Sequence, residues 1–443
     1  MRIKEIKIEG LFDMFDHTIP LNMEERLSII YGINGVGKTM VFKILNSLFN
    51  LDLINLIALS KTPFTRLIIS YEDGDTLTLL NEVKKIKIDF KGNKTVKPES
   101  FIVNIDKLFK EDSSEFEIIS RITRNIPNLL RMSNDRYMVK ETREILEIDE
   151  VFERYPEVFS SSRSILSMPK SMNDVLKSTA LFFIQTQRLI MFQSKSSKYR
   201  DEMRFEKEDS VKFYSNEIGN IIQDKRKERD KLSNELQQSL HKRILNNSVE
   251  TAYTIDQLNE SSAAIEKRIE ELTEVGLLEG IQMDNFKVTE NVDEVKRAIL
   301  SVNIQDIQKT LAIFDDLYPK FQKFIEILNG RRLSFKRIGL SEKGFIFTND
   351  KGKVLNAHDL SSGEQHELVL LYLLLFRIPE DSLILIDEPE ISLHITWQKA
   401  FLDDMKDIIK LRNFDIVVAT HSPAIINGNW GLTIKLGGND ESE

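Results

Sequence analysis

The 443-residue chain contains no cysteine. That absence excludes disulfides, thiolate zinc sites and cysteine nucleophiles, and it suits a reducing cytoplasm. Long apolar runs are missing too. The longest, Leu368 to Phe376, is far too short to span a bilayer, so no membrane partner is expected. An excess of positive charge is also lacking: 61 basic and 70 acidic residues leave a net charge of −9. A protein whose main work is coating nucleic acid carries the opposite balance, so nothing forces nucleic-acid binding. No apolar export signal precedes "MRIKEIKIEG", which reads as a strand with Ile3, Ile6 and Ile8. A cytoplasmic location is the expectation.

What is present is core and charge. Apolar residues make up 41% and charged residues 30%, enough for two or three domains or one domain with a large insertion. The basic stretches "VKKIKIDFKGNKTVK" (83–97) and "RRLSFKR" (331–337) read as solvated β-hairpin faces.

"RLSIIYGINGVGKTMVFKILNSLF" (26–49) is a short apolar strand, a glycine turn and an amphipathic helix. The turn matches G-x-x-x-x-G-K-[ST] at Gly32, Gly37, Lys38 and Thr39. Glycines let the backbone curl so that its N–H groups face phosphate oxygens, and the helix adds the positive end of its dipole. The expected contacts with ATP are Asn34, Gly35, Val36, Gly37, Lys38, Thr39 and Met40. Lys38 reaches the β and γ phosphates, and the Thr39 hydroxyl ligates Mg²⁺.

"DSLILIDEPEISLH" (381–394) runs four apolar residues into Asp387 and Glu388. A buried strand ending in two carboxylates places one acid on Mg²⁺ and another beside water; here Asp387 takes the metal and Glu388 the attacking water. "NFDIVVATHSP" (413–423) is another buried strand, ending at Thr420, His421 and Ser422. His421, at a core strand's tip in a chain with six histidines, is a candidate γ-phosphate sensor. A second small-residue turn, "DLSSGEQHELVLLYLLLF" (359–376), heads a helix too apolar for a surface and is a second anion-ready helix start.

Phosphate loop, distant L-S-S-G-E-Q, "LILIDEP", then "ATHSP" resembles the order in ABC-type ATPases, most closely the head domains of the SMC, Rad50 and RecF group. The resemblance implies an α/β fold, an ATPase head with an N-terminal antiparallel β-subdomain that carries a helical hairpin or short coiled-coil insertion. It implies that the signature turn crosses to a partner's γ-phosphate through Ser361, Ser362, Gly363 and Glu364. A head-to-head pair of chains is then the minimum unit, with higher oligomers open. It also implies a glutamine coupling Mg²⁺ to movement. "ALFFIQTQRLI" (180–190) supplies Gln185 and Gln187, and Gln187 with Arg188 fits related ATPases better. His394 stands where transporter-like proteins carry aspartate. Lys38 and Leu360 lie 322 positions apart, far wider than in a transporter ATPase.

The segments expected are an N-terminal lobe (1–192), a helical insertion (193–330) and a C-terminal lobe (331–443). Residues 209–245 read as an outgoing helix, 245–254 as the reversal and 255–275 as the return, with Leu258, Ile265, Ile269 and Leu272 forming a short heptad seam. A 35-residue helix reaches on the order of 50 Å, too little to tether DNA at a distance. A second helical tract is expected at 124–155, packed beside the hairpin. Twenty-two residues follow His421, and no C-terminal TOPRIM-type nuclease is expected.

Within the SMC-like group, the wording of the signature and "LIDEPEISLH–TWQ" resembles the ATPase subunits of prokaryotic anti-phage systems, nearest the PARIS-type ATPase, with Septu and retron-associated ATPases as relatives. That resemblance implies an oligomeric ATPase that holds a separate TOPRIM-type nuclease effector and frees it when a phage-encoded trigger protein arrives. The alternative is a RecF- or Rad50-like DNA-maintenance ATPase that clamps duplex DNA.

Overall fold

Ile3, Ile6 and Ile8 are all buried in strand β1 (Ile3–Leu11), although strict alternation would put Ile3 on the opposite face from the other two. A register shift between Ile3 and Glu5, where the strand pairs with β4 (Arg66–Tyr71), absorbs the odd step. The computed structural model describes residues 1–82, 85–93, 97–105, 129–132, 136–140, 143–147, 151, 168–185, 190–196, 203–246, 253–279, 293–333 and 335–437. They divide into two units, Met1–Glu208 with Ile378–Glu443, and Asp209–Arg377.

Among the described residues, the two largest sheets lie in the first unit. The antiparallel one has six strands, in the order β2 (Phe15–Pro20), β1, β4, β5 (Thr76–Glu82), β6 (Lys85–Lys91) and β7 (Glu99–Asn104). In β6 the expected hairpin face is present: Ile86 and Ile88 are buried, while Lys85 and Lys87 pair with Glu82 and Asp89 at 2.7 Å. The second sheet is parallel, in the order β11 (Leu181–Ile184), β17 (Leu383–Asp387), β18 (Asp415–Thr420), β3 (Leu27–Tyr31) and β19 (Thr433–Lys435). Strands β17 and β18 are covered on both faces, which is why "LILID" and "IVVAT" are unbroken apolar runs up to their last residues. Because all five strands point the same way, the residues that follow β3, β11, β17 and β18 emerge along one edge. Helices α1 (Lys38–Phe49), α2 (Leu53–Lys61), α3 (Lys170–Ser178), α9 (Ile395–Arg412) and α10 (Pro423–Ile426) belong to this unit, as does a two-stranded sheet of β12 (Ile190–Ser196) and β13 (Met203–Asp209), which ends at the boundary.

The helix expected at 124–155 is corrected by strands. β8 (Leu129–Arg131), β9 (Arg136–Val139) and β10 (Ile145–Glu147) form an antiparallel sheet within the first unit. Tyr137 and Val139 are buried two residues apart, so the apolar period here is two; the rest of that tract lies outside the described residues.

In the second unit, α4 (Ser210–Asn246) and α5 (Ile255–Glu274) occupy the expected outgoing and returning segments. Leu258, Ile265, Ile269 and Leu272 are the buried residues of α5, and Thr254 with Gln257 closes a capping box at its start. A third helix, α6 (Glu294–Ala312), packs against both α4 and α5. Arg243 near the end of α4 grips Asp306 of α6 through two bonds of 2.5 and 2.6 Å. Among the described residues, α4, α5 and α6 thus make a three-helix arrangement, followed by α7 (Tyr318–Ile327) and by the three-stranded antiparallel sheet of β14 (Lys336–Ser341), β15 (Gly344–Asn349) and β16 (Val354–Leu355).

The signature helix α8 (Ser362–Tyr372) lies in this second unit. Tyr372 stacks on Tyr214 of α4 with ring centroids 4.5 Å apart. The solvated reading of "RRLSFKR" is corrected for two of its residues. Arg332 is buried, with Nε 2.9 Å from buried Glu367, and Lys336 donates to Glu364 at 2.8 Å. A local run of charge says nothing about acids some thirty residues further along the chain.

Candidate functional site

The phosphate loop sits where β3 hands over to α1. Gly35 and Gly37 both have φ of +92°, a backbone state that side chains disfavour. At Gly37 a Cβ would also fall 2.4 Å from Leu11 Cδ2, so the loop is tight against β1. At Gly32 one would fall 2.7 Å from the Leu436 carbonyl. His17 reaches across from β2 to contact the Val36 carbonyl through Nε2 at 2.8 Å. The first helical bond of α1 runs from Val41 N to Gly37 O, so the N–H groups of Lys38, Thr39 and Met40 belong to the open first turn.

Lys38 is buried, and its Nζ donates to Gly32 O at 2.7 Å and Ile33 O at 3.1 Å. Its charge is thus held inside the loop by the loop's own carbonyls, facing the space it encircles. Asn34 and Gly35 are exposed, Val36 is buried, and Met40 packs on the core, so from Met40 only the backbone can reach a ligand.

Thr39 Oγ1 donates to the Asp387 carboxylate, at 2.9 and 3.1 Å from its two oxygens. The two ligands expected for Mg²⁺ come from residues 348 positions apart and meet as a pair of hard oxygen donors, the set magnesium selects. Burial raises the Asp387 carboxyl above its usual range; the Thr39 bond and Lys38 oppose this, while Glu388 and Glu390 add to it. A divalent cation bound there would supply the charge that keeps this carboxylate ionised and would polarise a phosphate oxygen.

Glu388 follows with φ 42° and ψ 57°, left-handed backbone for a residue that is not glycine. Its N–H is held by Ala419 O at 2.8 Å, which pins the turn against β18. The side chain is one quarter exposed and brings Oε1 to 3.9 Å from His421 Nδ1. That arrangement is suited to orienting or deprotonating a water at the strand edge.

Sequence reasoning missed Glu390, the second acid of "DEPE". It is buried, and its Oε1 accepts from Thr420 Oγ1 at 2.7 Å and His421 N at 3.0 Å, with His421 Nδ1 at 3.1 Å. Its other oxygen, Oε2, is buried with no hydrogen-bond partner among the described residues, an arrangement that costs on the order of 1–3 kcal/mol. Gln398 of α9 was also missed. It donates to Leu393 O and Glu390 O at 3.0 and 3.4 Å and accepts from Ser422 Oγ at 2.9 Å. His394 caps α9, its Nδ1 2.9 Å from the Thr396 hydroxyl. The acid in "PE" and the glutamine four residues after His394 were the only sequence signals for this clasp.

Gln185 is exposed at the end of β11, along the same strand edge, whereas Gln187 and Arg188 lie outside the described residues. In the second unit, Ser361 caps α8. Its hydroxyl accepts from Glu364 N at 3.3 Å, and Glu364 Oε2 accepts from Ser361 N at 2.6 Å. Ser361 and Ser362 are exposed, but Glu364 is turned inward onto Lys336. The open face of the turn is therefore Ser361, Ser362 and the Gly363 backbone.

A parallel sheet with a glycine loop, a buried lysine and a threonine–aspartate pair at its edge defines a P-loop ATPase head carrying a helical insertion. The family profile described as AAA ATPase domain matches residues 1–426, and the chain belongs to that family. Protein ea59 of Escherichia phage lambda is 39% identical over 67 residues, covering 15% of this chain and 13% of that protein. Among solved structures, the SMC head domain of Pyrococcus furiosus, bound to the C-terminal domain of ScpA, is similar at 13% identity and a TM-score of 0.33, covering 96% of this chain and 91% of that one. The SMC head domain of Thermotoga maritima is similar at 9% identity and a TM-score of 0.30, with the same two coverages. No helix among the described residues is long and apolar enough to cross a membrane.

Proposed function

We propose that two copies of this chain bury ATP between them, each offering its signature turn to the γ-phosphate held by the other's phosphate loop. The observation that carries this is the duplication of anion-ready helix starts: Lys38 heads one, and the exposed Ser361, Ser362 and Gly363 head the other. A single triphosphate tail needs both, and a paired assembly supplies them symmetrically. In this reading the Lys38 loop binds the phosphates, and Thr39 and Asp387 hold Mg²⁺, with Gln185 or Gln187 turned toward it. Glu388 orients water and His421 senses the γ-phosphate. Glu364 shapes the signature turn rather than meeting the nucleotide.

ATP-dependent pairing gives the protein two assembly states, biased by the presence of the γ-phosphate. The resemblance of its motifs to anti-phage ATPases supports a use for those states: holding a separate TOPRIM-type nuclease and releasing it when a phage-encoded trigger protein binds. The test is co-purification with the product of the adjacent gene, using the Glu388→Gln chain and ATP to hold the closed state. We expect a bound neighbour whose nuclease activity stays silent until the complex is opened. ATP-dependent, steeply salt-sensitive retention of duplex DNA, with no protein neighbour bound, would instead establish the DNA-clamp role.

A further inference from the structure

We propose that Glu390 is a positioning residue for hydrolysis: its carboxylate claims the Nδ1 proton of His421, which fixes the ring for phosphate contact and leaves Glu388 free to serve water. This rests on the reading of His421 as the γ-phosphate sensor.

Two carboxylates stand within reach of one imidazole nitrogen. Glu390 Oε1 is 3.1 Å from His421 Nδ1, a hydrogen-bond distance, and Glu388 Oε1 is 3.9 Å away, which is not. The same Glu390 oxygen takes the His421 backbone N–H and the Thr420 hydroxyl, so main chain and ring of the sensor share one anchor. A hydrogen bond at one ring nitrogen decides which nitrogen carries the proton and how the ring is turned. With Nδ1–H committed to Glu390, Nε2 is the ring atom left to meet a ligand.

Anchoring the loop does not explain the charge. Gln398 already ties Leu393 and Glu390 carbonyls to the Ser422 hydroxyl with neutral groups. A glutamine at 390 could accept the same Thr420 and His421 N–H bonds. The carboxylate adds negative charge on Nδ1–H, and its second oxygen is left buried and unbonded among the described residues. A group serving stability alone would be bonded at both oxygens or replaced by an amide. Its anionic form instead divides the work: one acid for the histidine, one for the water.

The experiment compares steady-state turnover, affinity for a non-hydrolysable ATP analogue, and ring ¹⁵N NMR shifts for the wild-type chain, His421→Ala, Glu390→Gln and the double variant. We expect Glu390→Gln to lower kcat about tenfold, equivalent to about 1.4 kcal/mol, with analogue affinity within about twofold of wild type. The His421 ring signals should move, and the double variant should be no slower than His421→Ala, as for two groups acting as one unit. A slow His421→Ala beside a wild-type kcat for Glu390→Gln overturns the Glu390 role and leaves the sensor reading standing. Wild-type turnover by His421→Ala overturns both. Equal losses of kcat and affinity in Glu390→Gln would mark it as structural and overturn the proposal too.

Discussion

Replacing Glu388 by glycine should make the protein more stable and nearly inactive. Glu388 occupies left-handed backbone, φ 42° and ψ 57°, fixed by the bond from its N–H to Ala419 O. Holding an L-residue there costs roughly 1–2 kcal/mol, which glycine avoids. Glycine gives back roughly 0.5–1 kcal/mol through the freedom it gains in the unfolded chain. The net is a gain of roughly 0.5–1 kcal/mol, or about 1–4 °C in melting temperature for a unit of this size. Removing a carboxylate that raises the Asp387 carboxyl acts in the same direction. Turnover should fall by about 10²–10⁴, the usual range for a lost general base. Calorimetry of the nucleotide-free protein and a coupled phosphate-release assay read the two effects. A melting temperature below wild type, or turnover within about tenfold of it, refutes the claim that this position trades backbone strain for catalysis.

Two other perturbations follow from buried charge. Burial, Glu388 and Glu390 raise the Asp387 carboxyl, so the folded state binds its proton more readily than the unfolded chain does. Its ionisation therefore removes stability as pH rises from the unfolded value of 3.8 through the higher folded value, and that stability stays lost at neutrality. Asp387→Asn should raise the melting temperature of the nucleotide-free protein at pH 7 while abolishing magnesium-dependent turnover, and its advantage should shrink on acidification below that window. In the second unit, Arg332→Met leaves the buried Glu367 carboxylate uncompensated and should cost about 3–5 kcal/mol in urea unfolding. Arg332→Met with Glu367→Leu should recover most of that loss, because the desolvation cost of the pair goes with it.

The parts of the site that the sequence announces are those set by backbone order. "LILID" and "IVVAT" are legible because strands buried on both faces must be apolar throughout, and the first polar residue after each marks the sheet edge. The loop at 32–39 is legible because only glycines at 35 and 37 tolerate its turns. Glu390, Gln398 and His17 were not legible, since each works through one contact made by tertiary folding. Nor was α6, whose match to α4 rests on single pairs such as Arg243 with Asp306 rather than on a repeat. The strands within 124–155 were misread because short alternating runs such as "RYMV" compete poorly with a charge-rich, helix-like average.

The central claim, that one triphosphate is gripped by two chains, is tested most directly by mixing two dead proteins. Lys38→Ala lacks a working phosphate loop, and Gly363→Asp lacks a working signature turn. A mixed pair contains one intact composite site, so an equal mixture should regain about a quarter of wild-type ATPase activity, given random pairing and independent sites. A mixture as inactive as either component alone, although mixed pairs form, would mean that each chain completes its own site.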